Sequence, residues 1–234
     1  MKSHLFSEMV QSLEDNTDTE QSNYESEISL VAYMKDPDGL KEANKVVNMQ
    51  QYSIRVNRED KTKGNIRVRR SNEIHPNPEL KYWSTIKMTI EKTYVTISSE
   101  TNIEINSLFF DSFIKIAENG TLKTRYTYSL ADQEIEVILK DGAEKVIVPN
   151  LEFEVDVFQF EDDISPWVKI DIELDHVFSF LYYKKFLSDI QDIKVNVDVL
   201  PLDLRHVFNS NLASEEDKKI EDALYDKAIF GFNF

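Results

Sequence analysis

"FEVDVF" at residues 153–158 and "KIDIELD" at residues 169–175 alternate apolar and charged side chains, position by position. An extended chain sends successive side chains to opposite faces, so Phe153, Val155 and Val157 share one face and Glu154 and Asp156 the other. In the second run Ile170, Ile172 and Leu174 oppose Lys169, Asp171, Glu173 and Asp175. Rows of carboxylates on one strand face repel each other. A solvated sheet face tolerates them, and a metal site requires them.

The same period of two recurs along most of the chain. It predicts strands at 24–32, 51–58, 65–70, 82–91, 93–98, 121–130, 134–139, 144–148, 151–158, 169–174 and 194–200. "KDPDG" (35–39) and "HPNP" (75–78) read as turns, and "ILKDGAEKVIV" as a hairpin pivoting on Asp141-Gly142. Helical spacing is confined to a few segments. "NSLFFDSFIKIAENG" opens on a capping Asn106 or Ser107, aligns Phe109, Phe113 and Ile116, and stops at Asn119-Gly120. A second helix is expected over 175–190. A third, over 214–230, has a capping-box-like Ser214 and Asp217 and spaces Ile220, Leu224 and Ala228. A short helix at 5–13 is compatible with the polar, acidic segment 1–22. The fold class expected is α+β, mainly antiparallel β, with two or three helices. So many strands must close or stack to hide their edges. A closed barrel with its apolar face under external helices would turn the charged face inward. A sandwich would turn it to solvent, and the alternation does not choose.

The 234 residues carry 43 acids against 27 bases, a formal charge of -16, which disfavours a general nucleic-acid surface. There is no cysteine, so thiolate chemistry and disulfides are excluded. The start "MKSHLFSEMV" has no apolar run behind its lysine, and no stretch reaches membrane-span length, so a soluble cytoplasmic protein is expected. With 5 glycines and no phosphate-cradling loop, a P-loop is absent. His4, His75, His176 and His206 show no ligand spacing, and Trp83 and Trp167 read as packing groups.

The charged faces differ from strand to strand. Glu25 and Glu27 share one, Arg67 and Arg69 another, Lys87 lies with Thr85 and Thr89, and Lys123 lies with Arg125. Glu152, Glu154 and Asp156 form an acidic face. Taken singly, each reads as a solvent face with ion pairs of little worth. Taken together, acids that suit hard divalent cations and bases that suit phosphate oxygens form the two halves of a site for a magnesium-bound triphosphate.

The order of these motifs, "IRVRR", "TIK", a helix, "KTRY", "FEVDVF", "IDIEL" and "RHVFNSNLA", resembles the CYTH family of triphosphate tunnel metalloenzymes over about residues 24–213. The resemblance implies a closed eight-stranded β-barrel forming a triphosphate tunnel over 23–213, with 1–22 a flexible acidic segment and 214–234 a helical tail. It implies Glu25, Glu27 and Glu173 as catalytic acids. Arg67, Arg69, Lys87, Lys123, Arg125 and Arg205 would be the phosphate-binding residues. Glu25, Glu27, Glu154, Asp156, Asp171 and Glu173 would be ligands of Mg2+ or Mn2+. The implied activity is hydrolysis of inorganic triphosphate, a nucleoside triphosphate or an RNA 5′-triphosphate. A same-family adenylyl cyclase is one alternative, and a module that binds a triphosphate or a protein partner without turnover is the other. Departures fall at Ser29, where the family has the lysine of ExExK, and at Met88, where it has glycine. They fall also at "ETNIEI", where Glu100 replaces an arginine and Glu104 matches, and at an insertion spanning about 131–148.

Overall fold

The computed structural model of the protein describes residues 24–35, 40, 42–57, 63–92, 94–160, 163–174 and 189–230. The helices expected at 5–13 and over most of 175–190 lie outside the described residues, as does most of the "KDPDG" turn.

Eleven strands form one antiparallel system. They are β1 (Tyr24–Met34), β2 (Lys45–Asn57), β3 (Lys63–His75), β4 (Glu79–Lys92), β5 (Thr96–Glu104), β6 (Asn119–Leu139), β7 (Gly142–Phe160), β8 (Asp163–Glu173), β9 (Ile190–Val195), β10 (Leu204–Asn209) and β11 (Ile229–Phe230). Eight of them pair in the order β1-β5-β4-β3-β2-β6-β7-β8, and β8 pairs back onto β1, so the ring closes. Along one edge of β1, residues Tyr24 to Glu27 meet β5 and residues Leu30 to Met34 meet β10, which leaves β10 off the ring. The two described helices are α1 (Ser107–Ile114) and α2 (Glu215–Ala228).

Closure sorts the alternating faces. Ile28, Phe153, Val155, Val168, Ile170 and Ile172 are almost fully buried on the outer side of β1, β7 and β8. The cover is the far end of the β6–β7 hairpin: Ile135, Val137 and Val148 belong to the same apolar cluster, joined by Ile190 and Ile193 of β9. The apparent insertion is therefore the lid of the core. Its turn is Lys140-Asp141, one residue earlier than the sequence reading, because Leu139 pairs directly with Gly142. The runs expected as separate strands at 121–130 and 134–139 form one continuous β6, and β7 likewise merges two. Strand β9 begins and ends earlier than expected. Ile190 and Ile193 are drawn to the core, and the Asn196 side chain accepts from Asp198 N at 3.0 Å as the chain turns away.

Helix α1 is capped by Asn106, whose side chain accepts from Phe109 N at 2.9 Å. It buries Phe110 and Phe113 against Tyr52 and Val68 on the outside of β2 and β3, while Phe109 and Ile116 stay exposed. Of the expected face Phe113 is buried, but Phe110 takes the place of Phe109: edge contacts of Phe110 with Tyr52 and Tyr82 fix the rotation of the helix. The helix also stops earlier, and Asn119 and Gly120 already belong to β6. On the same outer surface Met88 crosses over Gly64, its register partner. A Cβ there would lie 2.2 Å from the Met88 sulfur.

Helix α2 starts in a reciprocal capping box: Asp217 N donates to Ser214 Oγ at 3.1 Å, and Ser214 N donates to Asp217 Oδ2 at 3.2 Å. His206 Nε2 sits 2.9 Å from the other Asp217 oxygen and ties the helix to β10. Beyond it, β11 pairs with Gly120 and Thr121 of β6. The side chains of Leu224 and Ala228 lie outside those described. No helix among the described residues is long and apolar enough to cross a membrane.

The tail is tied to β10 through Asp217 and to β6 of the ring through β11, so deleting residues 215–234 should lower the melting temperature. Losing about 1–2 kcal/mol corresponds to about 2–8 °C for a chain of this size. Calorimetry of the truncated and full chains checks this, and an unchanged melting temperature would mean the tail contributes nothing.

Candidate functional site

The inner face of the ring encloses a cavity of about 820 Å³ whose lining is almost wholly polar, Phe158 being its one apolar residue. Among the residues singled out from sequence, Glu25, Glu27, Arg67, Arg69, Lys87, Lys123, Arg125, Glu154, Asp156, Asp171 and Glu173 all line it. Arg205 does not. It sits on β10, off the ring, exposed and opposite Tyr33, because β10 takes over the edge of β1 only after the ring has closed. Glu104 is also exposed, opposite Trp83 at the end of β5. Glu100 and Asn102 of the same strand face the cavity instead.

Each side chain arrives by strand register. Arg67 and Arg69 of β3 face Ser53 and Gln51 of β2. Lys87 of β4 stands opposite Glu100 of β5. Arg125 of β6 stands opposite Asp156 of β7, which in turn faces Lys169 of β8. Glu173 of β8 is flanked by Glu152 on one side and Glu27 on the other. Like charges directly opposite on adjacent strands destabilise the pairing, and here two such pairs meet at one carboxylate.

The cations divide into committed and uncommitted groups. Arg125 donates to Asp156 through Nε at 2.7 Å and Nη2 at 2.8 Å, and also pairs with Glu154. Lys123 pairs with the second oxygen of Asp156. Arg67 Nη2 reaches both Glu100 oxygens at 2.9 Å. Lys87 bridges Glu25 at 3.0 Å, Glu27 at 3.4 Å and Glu100 at 3.6 Å. Arg69 has no ion pair among the described residues, and its buried Nε has no hydrogen-bond partner. The buried Arg67 Nε and Asn65 Oδ1 are unpartnered too.

Proton affinities follow from this arrangement. Burial, reinforced by the neighbouring Arg67 and Arg125 charges, pulls Arg69 down to about 10. Burial and Arg125 pull Lys123 down to about 8, against the attraction of Asp156. Burial would raise Asp156, but Arg125 and Lys123 outweigh it and hold the carboxyl well below the usual range. Glu154 is raised by burial despite its contact with Arg125, whose guanidinium is shared with Asp156. Glu173 is raised well above the usual range by burial and by Glu154, Glu27, Asp171 and Glu25. No ion pair of the Glu173 carboxylate is found among the described residues.

The cavity therefore holds two unsatisfied charges of opposite sign, a lone guanidinium and a crowded carboxylate. Sequence reasoning missed Glu100 as a cavity residue. The alternation of "ETNIEI" does place Glu100, Asn102 and Glu104 on one face, but only strand length shows that Glu104 emerges beyond the ring. Asp222 of α2 also lines the cavity, which no local pattern could indicate.

No protein-family model matches the chain, and no curated protein matches it.

Two predictions separate these roles. Removing Arg125 leaves Asp156 buried and short of a partner, so Arg125→Ala should lose about 3–5 kcal/mol of stability. Arg69→Ala removes a charge with no carboxylate partner and should leave the denaturation midpoint unchanged or raise it. Chemical denaturation of both variants checks the contrast. Glu173 stabilises the fold fully below the unfolded carboxylate value near 4.5, and that stability is lost as pH rises through its elevated folded value. Glu173→Gln should therefore melt higher than the parent at pH 8, by about 2–4 °C per kcal/mol relieved. The difference should close by pH 4. A parallel pH dependence of the two proteins would contradict the crowding at Glu173.

Proposed function

We propose that the cavity binds a linear triphosphate together with a divalent cation, and that the chain is a CYTH-like, metal-dependent triphosphatase built on a closed eight-stranded β-barrel. The observation that carries this reading is the coexistence of Arg69 without a carboxylate and Glu173 without a cation in one cavity. A phosphate chain supplies the missing anion and a divalent cation the missing positive charge. The lining has nine acidic residues against six cationic ones, so a bare triphosphate meets net repulsion. The same ligand carrying Mg2+ or Mn2+ does not.

Glu25, Glu27, Glu154 and Glu173 are oxygen donors of the kind these cations take. Among the described residues, no three acidic or histidine side chains converge into a preformed metal site. Magnesium commonly binds through one or two carboxylates, with phosphate oxygens and water completing the shell. When bound, the cation would offset charge on the transferred phosphoryl group and lower the pKa of an attacking water. Arg69 and Arg67 would orient the phosphate chain, and Glu173, whose proton affinity is raised by burial and the neighbouring carboxylates, would be stabilised as the carboxylate by the cation it helps to hold.

A second reading, binding without turnover, is favoured by the commitment of Asp156, Asp171 and Glu100 to cations of the chain itself. Phosphate release and binding are measured with inorganic tripolyphosphate, ATP and a 5′-triphosphate RNA, each with Mg2+ and with Mn2+. The expected result is cation-dependent binding that Arg69→Ala weakens about 10- to 100-fold, accompanied by release that Glu173→Gln abolishes. Binding without release selects the second reading. No binding of any of the three overturns both.

A further inference from the structure

The residues at the β1–β8 junction point to a binding group outside the basic strands β3, β4 and β6. Asp171 is buried, and both of its oxygens are occupied. Ser29 Oγ donates to Oδ1 at 2.7 Å, and Lys169 Nζ lies 2.7 Å from each oxygen. Ser29 stands directly opposite Asp171 in register and is itself 5% exposed. Its hydroxyl holds one oxygen of the carboxylate in place.

Lys169 is different. Its side chain lines the cavity and remains 21% exposed. It stands opposite Asp156 in the β7–β8 pairing, a carboxylate that Lys123 and Arg125 contact. Three cations, Lys123, Arg125 and Lys169, thus surround two buried aspartates. Charge changes along β8 itself: Lys169 lies beside the cationic cluster, and Glu173, four residues on, beside Glu27 and Glu152.

We propose that Lys169 is a phosphate-gripping residue of this cavity, and that Asp171 and Ser29 are positioning residues that hold its ammonium there. The inference rests on the triphosphate reading above. Asp171 then acts on the phosphate through Lys169 rather than as a metal ligand, since three of the roughly four lone-pair directions of its carboxylate are taken by Ser29 and Lys169. The phosphate chain spans from Arg69 on β3 to Lys169 on β8, across the cavity from the basic wall, and its cation sits toward Glu173. A lysine at position 29 would set a second ammonium against Lys169 in a buried place.

The test measures tripolyphosphate binding calorimetrically in Mg2+, and Mn2+ binding alone by its paramagnetic effect on water relaxation, on the full chain. Lys169→Gln should weaken tripolyphosphate at least about tenfold, and Lys169→Arg should retain most of the affinity. Asp171→Asn should weaken tripolyphosphate while leaving Mn2+ affinity in its absence within about twofold, whereas Glu173→Gln should lower Mn2+ affinity. Ser29→Lys should weaken binding, and the double variant Ser29→Lys, Lys169→Ser should recover it. If the parent binds tripolyphosphate and Lys169→Gln binds it equally well, Lys169 is no ligand contact and this inference falls while the triphosphate reading stands. If Asp171→Asn loses Mn2+ affinity as Glu173→Gln does, Asp171 is a metal ligand and the positioning role is wrong. If the parent binds no tripolyphosphate, the triphosphate reading fails and takes this inference with it.

Discussion

Closure of β8 onto β1 is the constraint on which the rest of the molecule depends. An open sheet with the same alternation would set its carboxylates in water, where like charges a strand apart interact weakly. Once the ring closes, polar and charged side chains from its eight strands face one cavity. Charge must be met by opposite charge within reach or by a change in protonation. Arg125 with Asp156, Lys87 with Glu25 and Glu27, and Arg67 with Glu100 meet it by pairing. Glu173 has no such partner among the described residues, and burial with the surrounding carboxylates raises its proton affinity.

The outer surface supplies the stability that this interior consumes. Removing ions from water costs several kcal/mol each, which a well-made pair offsets only in part. The compensating term is apolar burial on the other face of the same strands, where Val155, Ile170, Ile172 and Phe153 are sealed under the extended β6–β7 hairpin and β9. One residue of register shift in β7 or β8 would exchange the two faces and lose both terms. The charged site and the hydrophobic core are thus consequences of a single pairing register, and neither can be altered without the other.

Much of this was legible locally. Period-two alternation identified the strands and, on each, the face that carries charge, because strand geometry ties face to sequence parity. The N-caps of both described helices were legible for the same reason, since their partners lie within three residues. What escaped depended on distant parts of the chain. The rotation of α1 follows from Tyr52 and Tyr82 on two other strands, the shift of β9 from the apolar surface it covers, and the exposure of Glu104 from where β5 leaves the ring. Arg205 shows the limit most clearly: its motif is adjacent to the turn that follows β10, but its position outside the cavity follows from which half of β1 is left to receive that strand.

By itself the sequence determined a charged face and an apolar face for each strand, and an acid excess that disfavours a general nucleic-acid surface. It could not determine on which side of the sheet water would lie, because parity is the same in a sandwich and in a ring. Only the tertiary structure decided that the charged faces converge, and which charge each cation is spent on. Pairing is set by cross-strand register, a relation between residues as far apart as Ser29 and Asp171, and no periodicity within either strand contains it.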